Sequence, residues 1–351
     1  MQLLRTIKSW HDYRNIDAFS ACAHAVMIVL SKGWIMSKVL IVGGAGYVGG
    51  FLTDFAILKG HDVRVVDNLT YEDIFLKDVD FSYGDILDFQ TIKPHLEWAD
   101  TVIWLAGLVG DPACAVNPQL TVDLNVTSVK NLIENFSGRI IFPSTCSVYG
   151  AQHDELDEQS QVSPLSLYAE TKYEAEQLLH NSSNSTLIFR LGTLFGLSDT
   201  YSRLRIDLVL NALTIRSVLE RKMNVFGGLQ FRPLLHVRDV GKAMVENIAT
   251  NKEGIYNIHT ENVTIIELAN RIAEIVPNTC IEKTEIAFQD ARNYRVNSDK
   301  AVRDLNFRPQ WSIEDGISEI YDLVYSKRIK DITNPRFTNV ETIRIFNSKK
   351  G

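Results

Sequence analysis

The stretch Val39-Leu40-Ile41-Val42-Gly43-Gly44-Ala45-Gly46-Tyr47-Val48-Gly49 decides the fold. Lys38 to Val42 reads as a buried parallel strand, Gly43, Gly46 and Gly49 punctuate a turn, and Phe51 to Leu58 continues with helical apolar spacing. A second apolar run, Val63-Arg64-Val65-Val66, ends at Asp67. Together these are the parts of a dinucleotide site. Glycines let backbone N–H groups approach a pyrophosphate at a helix N-terminus, while the acid accepts from adenosine ribose hydroxyls. Asp67 favours NAD over NADP, because a 2′-phosphate would meet its charge and no basic residue follows in Asn68-Leu69-Thr70.

Downstream, strand and helix patterns alternate, as a parallel sheet with crossover helices requires. Strands are expected at Val79–Tyr83, leading into Gly84-Asp85-Ile86, at Thr101–Leu105, leading into Ala106-Gly107, at Arg139–Phe142, leading to Ser144-Thr145, and at Thr186–Leu191. Long helices are expected over Pro118–Phe136 and Val162–His180. The fold class is α/β: a Rossmann-type doubly wound parallel sheet with a smaller C-terminal α/β substrate-binding domain. Ligands of such sheets bind at strand carboxyl ends.

The second helix carries Leu167-Tyr168-Ala169-Glu170-Thr171-Lys172. An i, i+4 spacing puts phenol and ammonium on one face, roughly 5–6 Å apart at Cβ. Two unit charges about 6 Å apart at an effective dielectric of about 20 interact by roughly 3 kcal/mol, so Lys172 is expected to lower the tyrosine by about two pKa units. After a dinucleotide turn, that pair points to nicotinamide redox chemistry. Its alternative is one of the many chance Tyr/Lys pairs on helices.

Composition is ordinary for a soluble globular protein. The chain has 351 residues, 45% hydrophobic and 23% charged, enough to bury a large core and hold two domains. A formal charge of -7 disfavours nucleic acid and anionic membranes as partners. Cys22, Cys114, Cys146 and Cys280 form no CxxC pair and are too sparse for a disulfide scaffold, which fits a reducing cytoplasm. No metal-ligand pattern stands out. The apolar run Ala21–Leu30 is too short to span a bilayer. Met36-Ser37-Lys38 leads straight into the first strand, so Met36 is the expected start and residues 1–35 an extension, disordered or non-native.

Taken in order, the motifs resemble those of the NAD-dependent epimerase/dehydratase family, extended short-chain dehydrogenase/reductases that act on nucleotide-activated sugars and include UDP-glucose 4-epimerase. The likeness runs from about Lys38 to Tyr325 and rests on Gly43/Gly46/Gly49, Asp67, Gly84-Asp85-Ile86, Leu105-Ala106-Gly107, Ser144-Thr145 to Val148-Tyr149-Gly150, and Tyr168 with Lys172. The resemblance implies NAD as cofactor, with Tyr47, Val48 and Asn68 joining the glycines and Asp67, Asp85 and Ile86 flanking adenine, and Leu105 to Gly107 lining the cleft. It implies Tyr168 as acid/base, Thr145 as hydrogen-bond partner of the reacting sugar oxygen, and Lys172 on the nicotinamide ribose. It also implies a homodimer through the helices Pro118–Phe136 and Val162–His180.

Family dehydratases carry Asp-Glu, or at least Glu, directly after that threonine. Here Cys146 and Ser147 stand there, neither suited to the elimination, so dehydratase and decarboxylase readings fall. Two readings remain open: an epimerase that returns its hydride to the sugar, and a nucleotide-sugar dehydrogenase or ketoreductase that exchanges NAD(H). Redox-sensing or scaffold members usually lose the Tyr or the Lys, and both are present.

For the substrate diphosphate the resemblance implies Arg203, Arg205 and Asn211 in Ser202–Asn211, Arg232 before Pro233-Leu234-Leu235-His236, and Arg292 in Asp290-Ala291-Arg292. Guanidinium forks suit a pyrophosphate. His236 is expected to pack rather than catalyse. Arg190-Leu191-Gly192-Thr193-Leu194-Phe195-Gly196 has Thr193 where many members have asparagine, which implies a differently seated sugar and resembles enzymes acting on GDP-linked heptoses or deoxysugars. The expected division is residues 36–192 for NAD, 193–325 mainly for the nucleotide sugar and interleaved with the first, and an unassigned, partly disordered tail over 326–351.

Overall fold

The computed structural model describes residues 36–199, 202–284 and 293–348. The expectations for residues 1–35 and for Arg292 fall outside the described residues. The main sheet contains β1 (Lys38–Val42), β2 (Asp62–Asp67), β3 (Asp80–Tyr83), β4 (Thr101–Trp104), β5 (Arg139–Thr145), β7 (Thr186–Leu191) and β11 (Gly254–Ile258). All neighbours pair in parallel in the order β3-β2-β1-β4-β5-β7-β11. The chain winds outward from β1 to β3, then crosses back to β4 and winds the other way. The carboxyl ends of β1 and β4 therefore part at the switch point, where a ligand crevice opens.

Side-chain alternation builds a core on each face. Val39, Ile41, Val65, Ile103 and Ile141 pack with Leu52 and Ala56 of the helix Gly49–Leu58 and with Val240 and Met244 of the helix Val237–Glu246. Leu40, Val42, Val102, Ile140 and Phe142 pack with Val129 and Leu132 of the helix Ser128–Asn135 and with Ala175 and Leu179 of the helix Leu167–His180. Burial on both faces is why these strands read as continuous apolar runs.

The second half is built from β8 (Thr193–Phe195), β10 (Phe231–His236) and β12 (Glu261–Thr264), with helices Val209–Glu220, Ile265–Ile275 and Ile313–Tyr325 around a third core. Two parallel strand pairs complete it: β9 (Lys222–Phe226) with β13 (Cys280–Thr284), and β6 (Ala151–Leu156) with β14 (Asn293–Val296). Through β6 and β11 the halves interleave.

Three elements differ from expectation. The helix read over Val162–His180 begins at Leu167, because Ser166 accepts from the Ala169 N–H as its cap and Pro164 lies just before it. The helix read over Pro118–Phe136 is Pro118–Val122, a π-turn at Asp123–Thr127 and Ser128–Asn135. The tail is ordered through a 3-10 turn at Pro335–Phe337 and a helix at Asn339–Ser348, because buried Phe337, Asn339 and Ile343 anchor it.

Candidate active site

Gly43 takes φ of 86°, and its N–H donates to the Val66 carbonyl at 2.8 Å; a Cβ there would lie 2.5 Å from the Ala106 nitrogen. At Gly49 a Cβ would meet the Gly44 oxygen at 2.1 Å, so the helix must enter on a glycine. At Gly46 the nearest atom is the Gly43 oxygen at 3.3 Å, leaving open space on the cleft side. The helix Gly49–Leu58 starts after Val48 with no side-chain cap at that residue and no acid in its first turn; Ser198 accepts from the Phe51 N–H at 2.8 Å. Open space beside first-turn N–H groups fits a dinucleotide pyrophosphate.

Asp67, at the end of β2, accepts from the Ala45 N–H at 3.0 Å and the Leu69 N–H at 2.7 Å, fixing the turn beside the ribose position. Burial pushes its carboxyl up, and those N–H groups oppose the rise. Asn68 donates to Asp85 at 3.1 Å, joining the ends of β2 and β3, while Ile86 is buried beneath them. The Leu105 and Ala106 N–H groups both donate to the Val42 carbonyl, at 2.8 and 2.9 Å. The Tyr47 hydroxyl is turned into the second half, donating to the Gly196 carbonyl at 2.7 Å.

Thr145 closes β5, and its hydroxyl accepts from the Ser147 N–H at 3.1 Å, capping the following turn. It lies near enough to the Tyr168 phenol to oppose the rise that burial imposes there. One turn along from Tyr168, Lys172 is 6% exposed, its ammonium 3.9 Å from the Phe142 ring centroid. The expected lowering of the phenol does not hold. Burial pushes Tyr168 up, with Asp111 adding to the rise and Thr145 opposing it, while burial pushes Lys172 down to about 7 against the pull of Glu176. Water exclusion penalises both charges. Burial thus favours the neutral form of both groups, and a cation bound beside Tyr168 would favour the phenolate.

Beneath it, Arg190 binds Glu176 at 2.7 Å and donates to the Tyr149 hydroxyl at 2.9 Å, and Ser144 donates to Glu176. Cys146 is fully buried with its thiol donating to the Arg190 carbonyl at 3.3 Å, and burial pushes that thiol well up. The Ser147 hydroxyl lies 3.3 Å from that of Tyr294.

Of the expected diphosphate ligands, Arg203 and Asn211 are placed otherwise. Arg203 is 4% exposed, donating to the Arg336 carbonyl at 3.0 and 2.9 Å and to Asn339 at 2.6 Å, with its guanidinium 3.8 Å over Tyr71. Asn211 accepts from the Gly196 N–H at 3.0 Å and donates to the Arg205 carbonyl at 2.8 Å. The ordered tail supplies acceptors for Arg203 that its sequence did not announce. Arg205 pairs with Asp207 at 2.8 Å, and buried Arg232 donates to the Phe231 carbonyl at 2.8 Å. Thr193 opens β8 opposite Leu234. His236 bonds Glu319 at 3.1 Å and stacks on Trp311, and burial pushes its imidazole down, as a packing histidine should show.

The family model described as "NAD dependent epimerase/dehydratase family" matches residues 39–258. The chain belongs to this family. Its cofactor is NAD, and the glycine turn, Asp67 and the uncapped helix start suit that dinucleotide. The chain is 27% identical over 311 residues to the UDP-glucuronate 4-epimerase of Thermodesulfobacterium geofontis, covering 80% of this chain and 94% of that protein. It is 24% identical over 317 residues to the UDP-glucuronic acid decarboxylase 1 of Danio rerio, covering 86% and 75%. Its fold matches the Bacillus cereus UDP-glucuronic acid 4-epimerase, solved with UDP-glucuronic acid and NAD, at a TM-score of 0.72 and 24% identity over 82% of this chain and 99% of that one. Family membership thus leaves both epimerases and decarboxylases among the relatives. Among the described residues no helix is long and apolar enough to cross a membrane, and no group of three or more His, Cys, Asp or Glu side chains is placed to hold a metal.

Sequence reading missed two residues around the family's Tyr/Lys pair. Asn125 accepts from the Leu108 N–H at 2.8 Å and donates to the Leu108 carbonyl at 2.9 Å and Thr171 at 3.1 Å, clamping the β4 loop to the Tyr168 helix. Asp111 accepts from Ser166 at 2.7 Å, at the cap of that helix. The Gly110-Asp111-Pro112 turn signal was there to be read for Asp111; nothing in the sequence marked Asn125.

Proposed function

We propose that the protein is a nucleotide-sugar epimerase that oxidises a sugar hydroxyl, at C4 by family analogy, and returns the hydride to the opposite face. The supporting observation is a Thr145–Tyr168–Lys172 cluster beside a dinucleotide turn, with no second proton carrier at the two positions after Thr145. Cys146 is packed away and held neutral, and Ser147 scarcely titrates, so neither supports elimination or the dehydratase reading. Decarboxylation has a separate requirement, a substrate carboxylate.

When bound, NAD would supply the hydride acceptor and a positively charged ring. Thr145 orients the reacting sugar oxygen through its hydroxyl. Tyr168 takes the hydroxyl proton as the carbon gives up its hydride, so one C–H and one O–H bond are lost and the sugar is two electrons poorer. Lys172, when protonated, would hold the phenolate through the step. After the keto-sugar turns, Tyr168 returns the proton as hydride re-enters from the other side, and the balance closes without net redox change.

The test is to incubate the protein with a panel of nucleotide sugars and follow both NADH absorbance and product stereochemistry. Inverted configuration with no accumulating NADH is expected. Stoichiometric NADH with a released keto-sugar would instead identify the exchanging dehydrogenase. Tyr168→Phe should lower turnover by about 10²–10⁴ fold while NAD affinity stays unchanged; substantial retained turnover would remove Tyr168 from the step.

A further inference from the structure

We infer that Glu176 is a positioning residue for the reaction: it fixes the helix carrying Tyr168 and Lys172 to the end of β5 that carries Thr145, and it is the counter-charge for Lys172. This rests on the proposed sugar oxidation at Tyr168.

Tyr168, Lys172 and Glu176 recur every four residues along the helix Leu167–His180, so the three share one face. Glu176 is 0% exposed. Ser144 on β5 and Arg190 on β7 are direct partners in the sheet register, and both donate to this one carboxylate. The Arg190 bonds are at 2.7, 3.1 and 3.2 Å. Another nitrogen of the same guanidinium donates to the Tyr149 hydroxyl at 2.9 Å, which in turn donates to Asn257 on β11 at 2.9 Å. A single side chain thus ties the helix to two neighbouring strands, and Ser144 directly precedes Thr145. That grip sets how the phenol meets the threonine.

Packing alone gives no reason for a charge here. On the same helix Ala175 and Leu179 meet the sheet as part of an apolar core, and a buried ion pair is often no more stabilising than well-packed apolar groups of its size. Lys172 supplies the reason. It is 6% exposed with its amine over the Phe142 ring, so its protonated state needs a nearby anion. From its own helix it faces Glu176, which holds the proton on against burial. From the helix Asp111–Val116 it faces Cys114, whose thiol burial pushes up to about 12, so that group is neutral near pH 7. The Lys172 proton therefore leans on Glu176. While Tyr168 is a phenolate, Arg190, Glu176 and protonated Lys172 bring the cluster to zero net charge.

The experiment uses the NAD-loaded full chain. The Lys172 amine is titrated by NMR of carbon-13-labelled lysine, its signal assigned by its loss in Lys172→Met, and turnover of the best-accepted nucleotide sugar is followed over about pH 6–10. Glu176→Gln keeps the shape and removes the charge. It should lower the Lys172 midpoint by about one pH unit or more, move the alkaline limb of kcat down with it, and leave KM within about threefold. Glu176→Asp should restore part of both shifts. Ser144→Ala loosens the grip on β5 without touching a charge, and should lower kcat about tenfold at every pH with the midpoint kept. If Glu176→Gln does not fold, the double variant Glu176→Gln/Arg190→Gln, which leaves neither partner of the ion pair charged, should move the midpoint in the same direction. An unmoved midpoint, or a moved midpoint with the pH profile of kcat unchanged, overturns the counter-charge; a kcat untouched by Ser144→Ala overturns the seating. A lowered midpoint in a protein that turns over no nucleotide sugar would confirm the hold of Glu176 on Lys172 and sink the oxidation at Tyr168.

Discussion

At the scale of single residues, Lys172 carries a pH dependence opposite in sign to that of a salt-bridged lysine. Unfolded, its amine titrates near 10.4; folded and 6% exposed, it is pushed down to about 7 by burial. Below pH 7 the amine is protonated in both states, and the full penalty of a buried charge falls on the fold. Between about 7 and 10 the unfolded chain holds a proton that the folded chain has released, so stability rises with pH across that window. Lys172→Met should therefore stabilise the cofactor-free protein most below pH 7, and the gain should shrink towards pH 10. Melting temperatures of both proteins across pH 6–10 check it, and a gain that grows with pH would contradict it. The Tyr168/Lys172 spacing was legible because i, i+4 geometry is local. The resting charge was not, because desolvation comes from Phe142 and other groups remote in sequence.

At the scale of elements, the π-turn Asp123–Thr127 places Asn125 where a regular helix would not. The widened turn lets one amide side chain, 4% exposed, bond both backbone groups of Leu108 as well as Thr171. Gly107 is required beside it, since a Cβ there would lie 2.9 Å from the Asn125 oxygen at φ of 152°. Irregular turns inside helices recur at functional sites for this reason. The sequence showed one helix here because a five-residue irregularity leaves the apolar period of its flanks intact, whereas β1 and β4 were plain as apolar runs between turn signals. Asn125→Ala leaves the Leu108 N–H without its acceptor and the Leu108 carbonyl with the weak Cys114 thiol alone, and should cost about 1–3 kcal/mol. NAD affinity should fall with it, because Leu108 ends the loop carrying Leu105 to Gly107. Denaturant unfolding and an NAD titration read the two effects, and loss of stability with cofactor affinity intact would confine Asn125 to a structural role.

At the scale of the whole molecule, the two halves are joined by interleaved strands and by a tail that bonds both the loop after β4 and the segment 203–207. Val340 and Ile343, three residues apart, gave too short an apolar pattern to announce a helix, and the polar anchors that fix it lie more than a hundred residues away at Arg203 and Asp207. Family likeness stopped at Tyr325, so neither route reached this element. Deleting residues 335–351 should strip the cover from Leu108, Ala113, Cys114 and Tyr168 and leave Arg203 without its acceptors. The glycine turn, Asp67 and Asp85 make their bonds elsewhere. NAD affinity should therefore survive the truncation while sugar-nucleotide affinity drops, the melting temperature falls, and binding of a hydrophobic dye rises as the cluster meets water. Parallel loss of NAD and sugar binding in a protein that still unfolds cooperatively would make the tail a brace for the whole crevice. Undiminished sugar binding would remove it from the site.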